Sequence, residues 1–336
     1  MATKATDLIE PRAGGLWCAR GGFFVDPGQA VERAIVTHAH GDHCRPGHQA
    51  LLASPETARI AEARYGKTAF ERIEVLDYNT PQRIGDVTVS LVPAGHVLGS
   101  SQVVIEADGV RAIVSGDYKR RADPTCRPFE LVECDLFVTE ATFGLPVFTH
   151  PPVEDEIARL LTSIARNPER THAVGAYALG KAQRLIAELR RAGYERPIWL
   201  HGALSGLCAV YEEHGIALGP LENATVAKSE EMRGQIVLAP PGALNDRWAR
   251  RLPDVLPVAA SGWMRVRQRA KQRGAELALV ISDHCDWPEL CQTIHETKAE
   301  EIWVTHGAED ALIHWCGTQG IKARALRLVG RSEDQQ

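Results

Sequence analysis

Apolar residues in the first part of the chain come in short runs, each stopped by turn formers. Phe23-Phe24-Val25 runs into Asp26-Pro27-Gly28, and Ala34-Ile35-Val36-Thr37 runs into a histidine-rich segment, so both read as buried strands. Ser54 fits the N-cap of a helix that starts at Pro55, ahead of Glu56 and the Ile60 face. Further strands are expected at 73–76, 87–92, 102–106 and 111–114, with Asp108-Gly109 as the hairpin turn between the last two. After Thr142 the rhythm changes. A helix follows His150-Pro151-Pro152, and then strands at 172–177, 198–201, 235–239, 278–282 and 302–305 alternate with helices at 181–191, 204–213, 288–297 and after Glu309. That alternation predicts a parallel sheet covered on both faces, and the chain as a whole reads as α/β. The tail 332–336 is polar and reads as disordered.

Composition narrows this picture only a little. With 336 residues, 44% hydrophobic and 24% charged, the chain suits a globular protein in which a layered domain carries an inserted lobe. Its opening Met-Ala-Thr-Lys-Ala-Thr-Asp is polar and no apolar run is long enough to span a bilayer, so the expectation is a cytoplasmic protein with no membrane partner. Eight cysteines without a Cys-x-x-Cys pair read as thiols in a reducing compartment. Cys44 and Cys285, which follow histidines, read as small buried spacers. The net charge of −5 argues against a protein that coats nucleic acid, yet Arg265, Arg267, Arg269, Lys271 and Arg273 form a dense local cationic stretch.

The chemistry concentrates in His38-Ala39-His40-Gly41-Asp42-His43, with three histidines and one aspartate in six residues at the end of an apolar strand. Residues i and i+2 at a strand end point the same way, so His38 and His40 can reach one ion. Imidazole with carboxylate is a ligand set for zinc or manganese, not calcium. Three later segments repeat the grammar of apolar strand, small residue and single ligand-type side chain. They end at His96 after Pro93-Ala94-Gly95, at Asp117 after Ser115-Gly116, and at His306 after Val304-Thr305.

The series His38-x-His40-x-Asp42-His43, His96, Asp117 resembles the motifs of the metallo-β-lactamase fold, and Asp26 matches that fold's early, ligand-orienting aspartate. Val138-Thr139-Glu140-Ala141-Thr142, Ser282-Asp283-His284-Cys285-Asp286 and Val304-Thr305-His306-Gly307 resemble motifs A, B and C of the β-CASP nucleases, in family order. Gly175–Lys181 and Ser261-Gly262-Trp263 resemble the bacterial ligase-associated DNA exonucleases and their eukaryotic DNA-repair counterparts. His306 departs from those eukaryotic repair enzymes, whose motif C usually lacks histidine, and is similar to RNA-processing members.

The resemblance implies a metallo-β-lactamase αββα sandwich, residues 1–148 and 263–336, with a β-CASP-type α/β lobe inserted at 149–262. It implies two divalent ions, zinc or manganese: one held by His38, His40 and His96, the other by Asp42, His43 and His306, with Asp117 between them. His284 would protonate the leaving oxygen with its ring held by Glu140, and Asp286 is either a second partner or a helix cap. Gly180-Lys181 at a helix start and Arg265, Arg267 and Arg269 would meet substrate phosphates. The activity implied is a DNA exonuclease working 5′ to 3′ on single-stranded DNA or a free 5′ end, leaving 5′-phosphates, in repair and in one pathway with an ATP-dependent DNA ligase. An RNA exo- or endonuclease is the alternative. A small-molecule metallohydrolase or an inactive scaffold fits less well, since the lobe is superfluous to the first and the second should have lost ligands.

Overall fold

Asp108 and Gly109 take φ values of 51° and 81°. These are the left-handed values of a type I′ turn, and they reverse the chain between the paired residues Ala107 and Val110. The hairpin belongs to the first of two units in the computed structural model, which describes residues 3–326. The first unit takes the chain as far as Phe148 and again from His284; the second is Thr149–Asp283.

In the first unit, β1 (Glu10–Arg12), β2 (Gly15–Cys18), β3 (Phe23–Val25), β4 (Arg33–Ile35), β5 (Ala50–Ala53) and, after helix α1 (Pro55–Tyr65), β6 (Arg72–Val75) form one sheet in that order. As expected, Ser54 caps α1, accepting a hydrogen bond from the Thr57 N–H with Pro55 in the first turn. A second sheet begins with β7 (Gln82–Ile84), β8 (Val87–Pro93), β9 (Ser101–Ala107), β10 (Val110–Val114) and β11 (Leu136–Ala141).

The second unit runs α2 (Val153–Arg166), β12 (Thr171–Gly175), α3 (Lys181–Arg191), β13 (Ile198–Leu200), α4 (Gly202–Glu213), β14 (Leu221–Asn223), β15 (Ile236–Ala239), β16 (Val255–Ala260), α5 (Arg267–Gln272) and β17 (Leu277–Leu279). Its six strands lie in the order β14-β13-β15-β12-β16-β17, every pair parallel, as the alternation predicts. Strand β17 stops short of the expected 278–282 because the Val280 N–H donates to Glu156 of α2 instead of a neighbouring strand. Since β17 pairs with β16, residues 263–283 sit with the second unit, whereas the sequence reading counted them with the first.

The chain then completes the second sheet through α6 (Trp287–Glu296), β18 (Glu301–Gly307), α7 (Glu309–Thr318) and β19 (Lys322–Ala325), in the order β19-β18-β11-β10-β9-β8-β7. Strand alternation sorts the side chains onto two faces. Ile35 of β4 joins Val89, Ile105, Val114 and Val138 in one cluster shared by both sheets, so the sheets face each other across it. Ala34 and Leu51 pack with Ala61 of α1 on the far side of the first sheet. Ile113, Phe137 and Val304 pack with Leu290 and Ile294 of α6 and Leu312 of α7 on the far side of the second. Each fully buried aliphatic or aromatic side chain contributes roughly 1.5–3 kcal/mol of burial energy. All eight cysteines are thiols; Cys44 and Cys285 are fully buried, and burial pushes Cys44 up to about 12. Among the described residues no helix is long and apolar enough to cross a membrane. The tail 332–336 lies outside the described residues.

Candidate metal centre

Strand β4 delivers Val36 and Thr37 into the segment His38–His43, and the end of α1 grips that segment from outside. Arg64 donates to the Ala39 carbonyl, and the Tyr65 hydroxyl donates to the Cys44 carbonyl at 2.8 Å. Asp26, just beyond β3, holds it from beneath. Its carboxylate accepts from the Thr37 N–H (2.8 Å), the Thr37 hydroxyl (2.7 Å) and His43 Nδ1 (2.7 Å). A carboxylate only accepts, so a proton sits on His43 Nδ1 and Nε2 is the nitrogen that faces the cluster. That Nε2 is buried and has no hydrogen-bond partner among the described residues. The Thr37 hydroxyl also lies 3.1 Å from His38 Nδ1, and because it gives its own proton to Asp26 it accepts there, which turns the His38 Nε2 lone pair inward.

Three ring nitrogens converge. His40 Nδ1 lies 3.0 Å from His38 Nε2 and 3.1 Å from His96 Nε2. Asp117 Oδ2 lies 3.5 Å from His38 Nε2 and 3.7 Å from His96 Nε2, and this oxygen has no hydrogen-bond partner among the described residues. The four side chains offer ligand atoms all within 4.8 Å of one another, and all four residues are buried. Burial and then the neighbouring His43 charge lower the pKa of His38; burial and then His284 hold His96 well below the usual histidine range. Neutral imidazoles beside an ionised carboxylate are the donor set a divalent cation needs, and an unsatisfied buried carboxylate oxygen is costly without one. The residues fit a metal ion.

The other oxygen, Asp117 Oδ1, faces His43 Nε2 at 3.5 Å, and Asp42 Oδ2 lies 3.5 Å from the same nitrogen. The His306 ring centroid stands 5.4 Å from that of His43. Asp117 thus turns one oxygen to each half of the cluster. Burial opposes charge on His43, but Asp117, Asp42 and Asp26 outweigh it and raise its pKa to about 9. Burial likewise works against Asp42, whose carboxyl is nevertheless drawn down to about 2, chiefly by His43.

Backbone devices aim these side chains. Gly95 has φ +74°, and a Cβ there would stand 2.3 Å from the Lys119 carbonyl; Gly116 has φ +57°, and its Cβ would meet Thr37 at 2.6 Å. Neither position accepts a side chain, which accounts for the small residue ahead of His96 and Asp117. At the end of β18 the register with β11 steps from Glu140↔Thr305 to Ala141↔Gly307. His306 is the extra residue of this bulge, at φ +55°, and the kink turns its ring toward His43.

Beside the cluster, His284 Nδ1 lies 2.8 and 3.0 Å from the two oxygens of Glu140, which is 1% exposed and also accepts from the Tyr118 N–H at 2.9 Å. The His284 ring centroid is 4.6 Å from that of His96. Asp286 is the N-cap of α6, accepting from the Glu289 N–H, and is paired with Arg121 at 2.7 Å.

In the second unit the Gly180 N–H donates to Gln183 Oε1, and Lys181 is ion-paired with Asp283 at 3.3 Å, next to Arg184, which donates to the Ser282 carbonyl. Lys181, expected to meet substrate phosphate, is thus placed at the start of α3 beside Asp283. Arg265, Arg267 and Arg269 are exposed. Sequence reasoning missed Thr37, the Arg184–Asp283 pair, and the buried ion pair of Lys119 with Asp123. Only Thr37 carried a signal, being the last residue before the histidines.

Fold and site define a mixed α/β protein, built of several sheets, with a histidine and aspartate cluster that could hold a divalent metal ion. No family model matches the chain. It is 29% identical over 320 residues to a protein of Opitutus terrae named "Probable DNA ligase", covering 93% of this chain and 30% of that one. It is 35% identical over 167 residues to the "Endoribonuclease ysh1" of Aspergillus fumigatus, covering 46% of this chain and 19% of that one. To the "RNase J-like protein" of Methanocaldococcus jannaschii it is 27% identical over 220 residues, 57% of this chain and 52% of that one. The chain thus spans about half or less of the length of these relatives. A crystal structure of a protein of unknown function from Enterococcus faecalis superposes with a TM-score of 0.59 at 15% identity, over 90% of this chain and 80% of that one, a likeness of fold.

Proposed function

We propose that this chain is a metal-dependent nuclease of the metallo-β-lactamase and β-CASP type: an αββα sandwich with an inserted lobe, acting on DNA from a 5′ end. The observation that carries the reading is the buried group His38, His40, His96 and Asp117, with the Glu140–His284 pair beside it. Relatives named endoribonuclease and RNase J-like support a hydrolytic enzyme acting on nucleic acid. DNA is favoured by the relative named a probable DNA ligase, which matches along 93% of this chain, and it suggests an ATP-dependent DNA ligase as pathway partner in repair.

In this reading His38, His40, His96 and Asp117 hold one ion and Asp42, His43, His306 and Asp117 a second, zinc or manganese by the chemistry of the donors. Bound divalent ions supply positive charge for the phosphate oxygens and a water of lowered pKa. Asp26 and Thr37 hold His43 and His38 in the ligating tautomer. Glu140 accepts the His284 Nδ1 proton, which leaves Nε2 to carry a proton to the departing 3′ oxygen and gives a 5′-phosphate and a 3′-hydroxyl. Arg265, Arg267 and Arg269 contribute phosphate contacts, as do Gly180 and Lys181 at the start of α3, where Gly180 also donates to Gln183 and Lys181 pairs with Asp283.

A second reading, an RNA nuclease on the same scaffold, is favoured by His306 beside His43 and by the endoribonuclease relatives. End-labelled single- and double-stranded DNA and RNA, incubated with Zn²⁺ or Mn²⁺, separate the two. Cleavage of DNA from the 5′ end, lost in Asp42→Ala, is expected. Cleavage of RNA alone replaces the first reading by the second, and activity that survives Asp42→Ala removes both.

A further inference from the structure

Strands β15, β12 and β16 are neighbours and parallel, so the chain leaves all three at one edge of the sheet. His172–Gly175 is in register with Ile236–Ala239 on one side, and Thr171–Gly175 with Val255–Ala259 on the other. From β12 the chain passes through α3 to β13, on one side in the strand order; from β16 it passes to β17, on the other. Adjacent strands whose onward connections diverge leave a crevice at the carboxyl edge, the usual ligand position of such sheets.

Tyr177, two residues beyond Gly175, stands at that edge and is 43% exposed, the one aromatic ring among the exposed large apolar side chains of the described residues. Cationic segments flank it. On the β15 side the chain forms the 3-10 turns Pro241–Asn245 and Arg247–Arg251. A Cβ on Gly175 would lie 3.2 Å from Leu244 and 3.5 Å from Pro241, so this segment packs over the end of β12. It presents Arg247 and Arg250 to solvent. On the β16 side, Ser261 caps the turn Gly262–Arg265, which leads into α5 with Arg265, Arg267, Arg269, Lys271 and Arg273, all exposed. None of these seven cations has an ion pair among the described residues, and the acids that follow the two segments, Asp254 and Glu276, both pair with Arg170. The Arg269 guanidinium lies 4.0 Å over the Trp263 ring, which stiffens the second wall.

An exposed aromatic ring between two rows of unsatisfied cations is the chemistry of single-strand recognition, because an unpaired base offers its face and its backbone offers charge. We propose that this edge of the second unit binds single-stranded nucleic acid, stacking a base on Tyr177 and drawing the flanking phosphates to Arg247 and Arg250 on one side and Arg265 and Arg267 on the other. The proposal rests on the nuclease reading and adds to it a residue that recognises bases and the edge of the second unit that holds the strand.

Equilibrium binding of the full, metal-loaded chain to two labelled strands tests it: oligo(dT), and an abasic strand of equal length and charge, both phosphorothioate-linked to resist cutting. The wild type should bind oligo(dT) about tenfold more tightly than the abasic strand. Tyr177→Ala should bring oligo(dT) to the abasic level, and Tyr177→Phe should keep the preference and so exclude misfolding as the cause. Arg265→Ala with Arg267→Ala should lower the salt slope by about 1.4 without removing the preference for bases. Equal binding of the two strands by the wild type, or a preference that survives Tyr177→Ala, overturns the stacking site. An unchanged salt slope overturns the cationic wall. Strand binding of this pattern in a chain that cuts nothing would count against the nuclease reading and leave this one standing.

Discussion

At the scale of single residues, the candidate metal centre depends on side chains that lie behind its ligand-type residues. Thr37 spends one hydroxyl on two tasks, donating to Asp26 and accepting from His38. Thr37→Val keeps the shape and deletes both bonds, so metal affinity should fall about tenfold, and Thr37→Ser should restore most of it. Metal retained against a graded chelator series, read by elemental analysis, checks this; equal retention by Val and Thr chains would show that the hydroxyl does not orient the ligand. His284 makes a different claim. If it protonates the leaving oxygen, His284→Ala should lose on the order of 10²–10³-fold in kcat on an oligonucleotide and far less on a nitrophenyl phosphodiester, whose leaving group departs without a proton. Equal losses on both substrates would reassign His284 to substrate positioning.

At the scale of elements, the centre is built where strands end, and glycines decide how closely those ends approach. Gly307 has φ +109°, and a Cβ there would sit 2.2 Å from the Ala141 carbonyl and 2.9 Å from Thr142 Cα. It is the residue that lets β18 rejoin β11 after the bulge at His306. Gly307→Ala should therefore cost about 2 kcal/mol or more, through both the left-handed backbone and the clash, and lower the thermal midpoint by several degrees. Calorimetry measures it, and an unaltered midpoint would mean that the bulge relaxes without harm. The pair of Arg184 with Asp283, 3% and 4% exposed, makes the same point through charge. Asp283→Ala would remove the carboxylate that pairs with both Lys181 and Arg184, leaving Arg184 the Ser282 carbonyl and Glu188 at 4.0 Å, and should destabilise the chain by about 2 kcal/mol in a urea titration.

For the whole molecule, His48 is a source of acid sensitivity that lies apart from the candidate metal ligands. His48 is fully buried, its Nδ1 accepts from the Val31 N–H, and its Nε2 has no partner among the described residues. Burial lowers its pKa to about 4. The unfolded chain, with an ordinary histidine near 6.5, binds the extra proton first, so stability is lost as pH falls from about 6.5 to about 4. The expected loss is on the order of 2 kcal/mol. His48→Asn keeps an acceptor near Nδ1 but does not titrate, so its urea midpoint should drop less than that of the wild type between pH 7 and pH 4.5. Parallel curves for the two proteins would assign the acid sensitivity elsewhere.

Local information in the sequence was enough for many of the elements and for most of the candidate site, while strands such as β1, β2, β5 and β16 went unread. Short apolar runs closed by turn residues marked β3, β4 and β8 to β10, because a buried strand must stop where the chain reverses. Ser54-Pro55 and Asp108-Gly109 announced a cap and a turn by their own backbone chemistry. The ligand-type residues could be read because each follows a strand end and a small residue. Other features were decided only when the chain closed on itself. Whether Asp286 paired with Arg121, whether Lys181 met Asp283, and on which side of the unit boundary residues 263–283 fell all depended on partners distant in sequence or on pairing with β16. The bulge at His306 and the Asp26–Thr37–His38 relay likewise come from register and packing. The residues at strand ends were determined by the sequence; their tautomers, charges and aim were set by the tertiary structure, since those depend on atoms that meet only after folding.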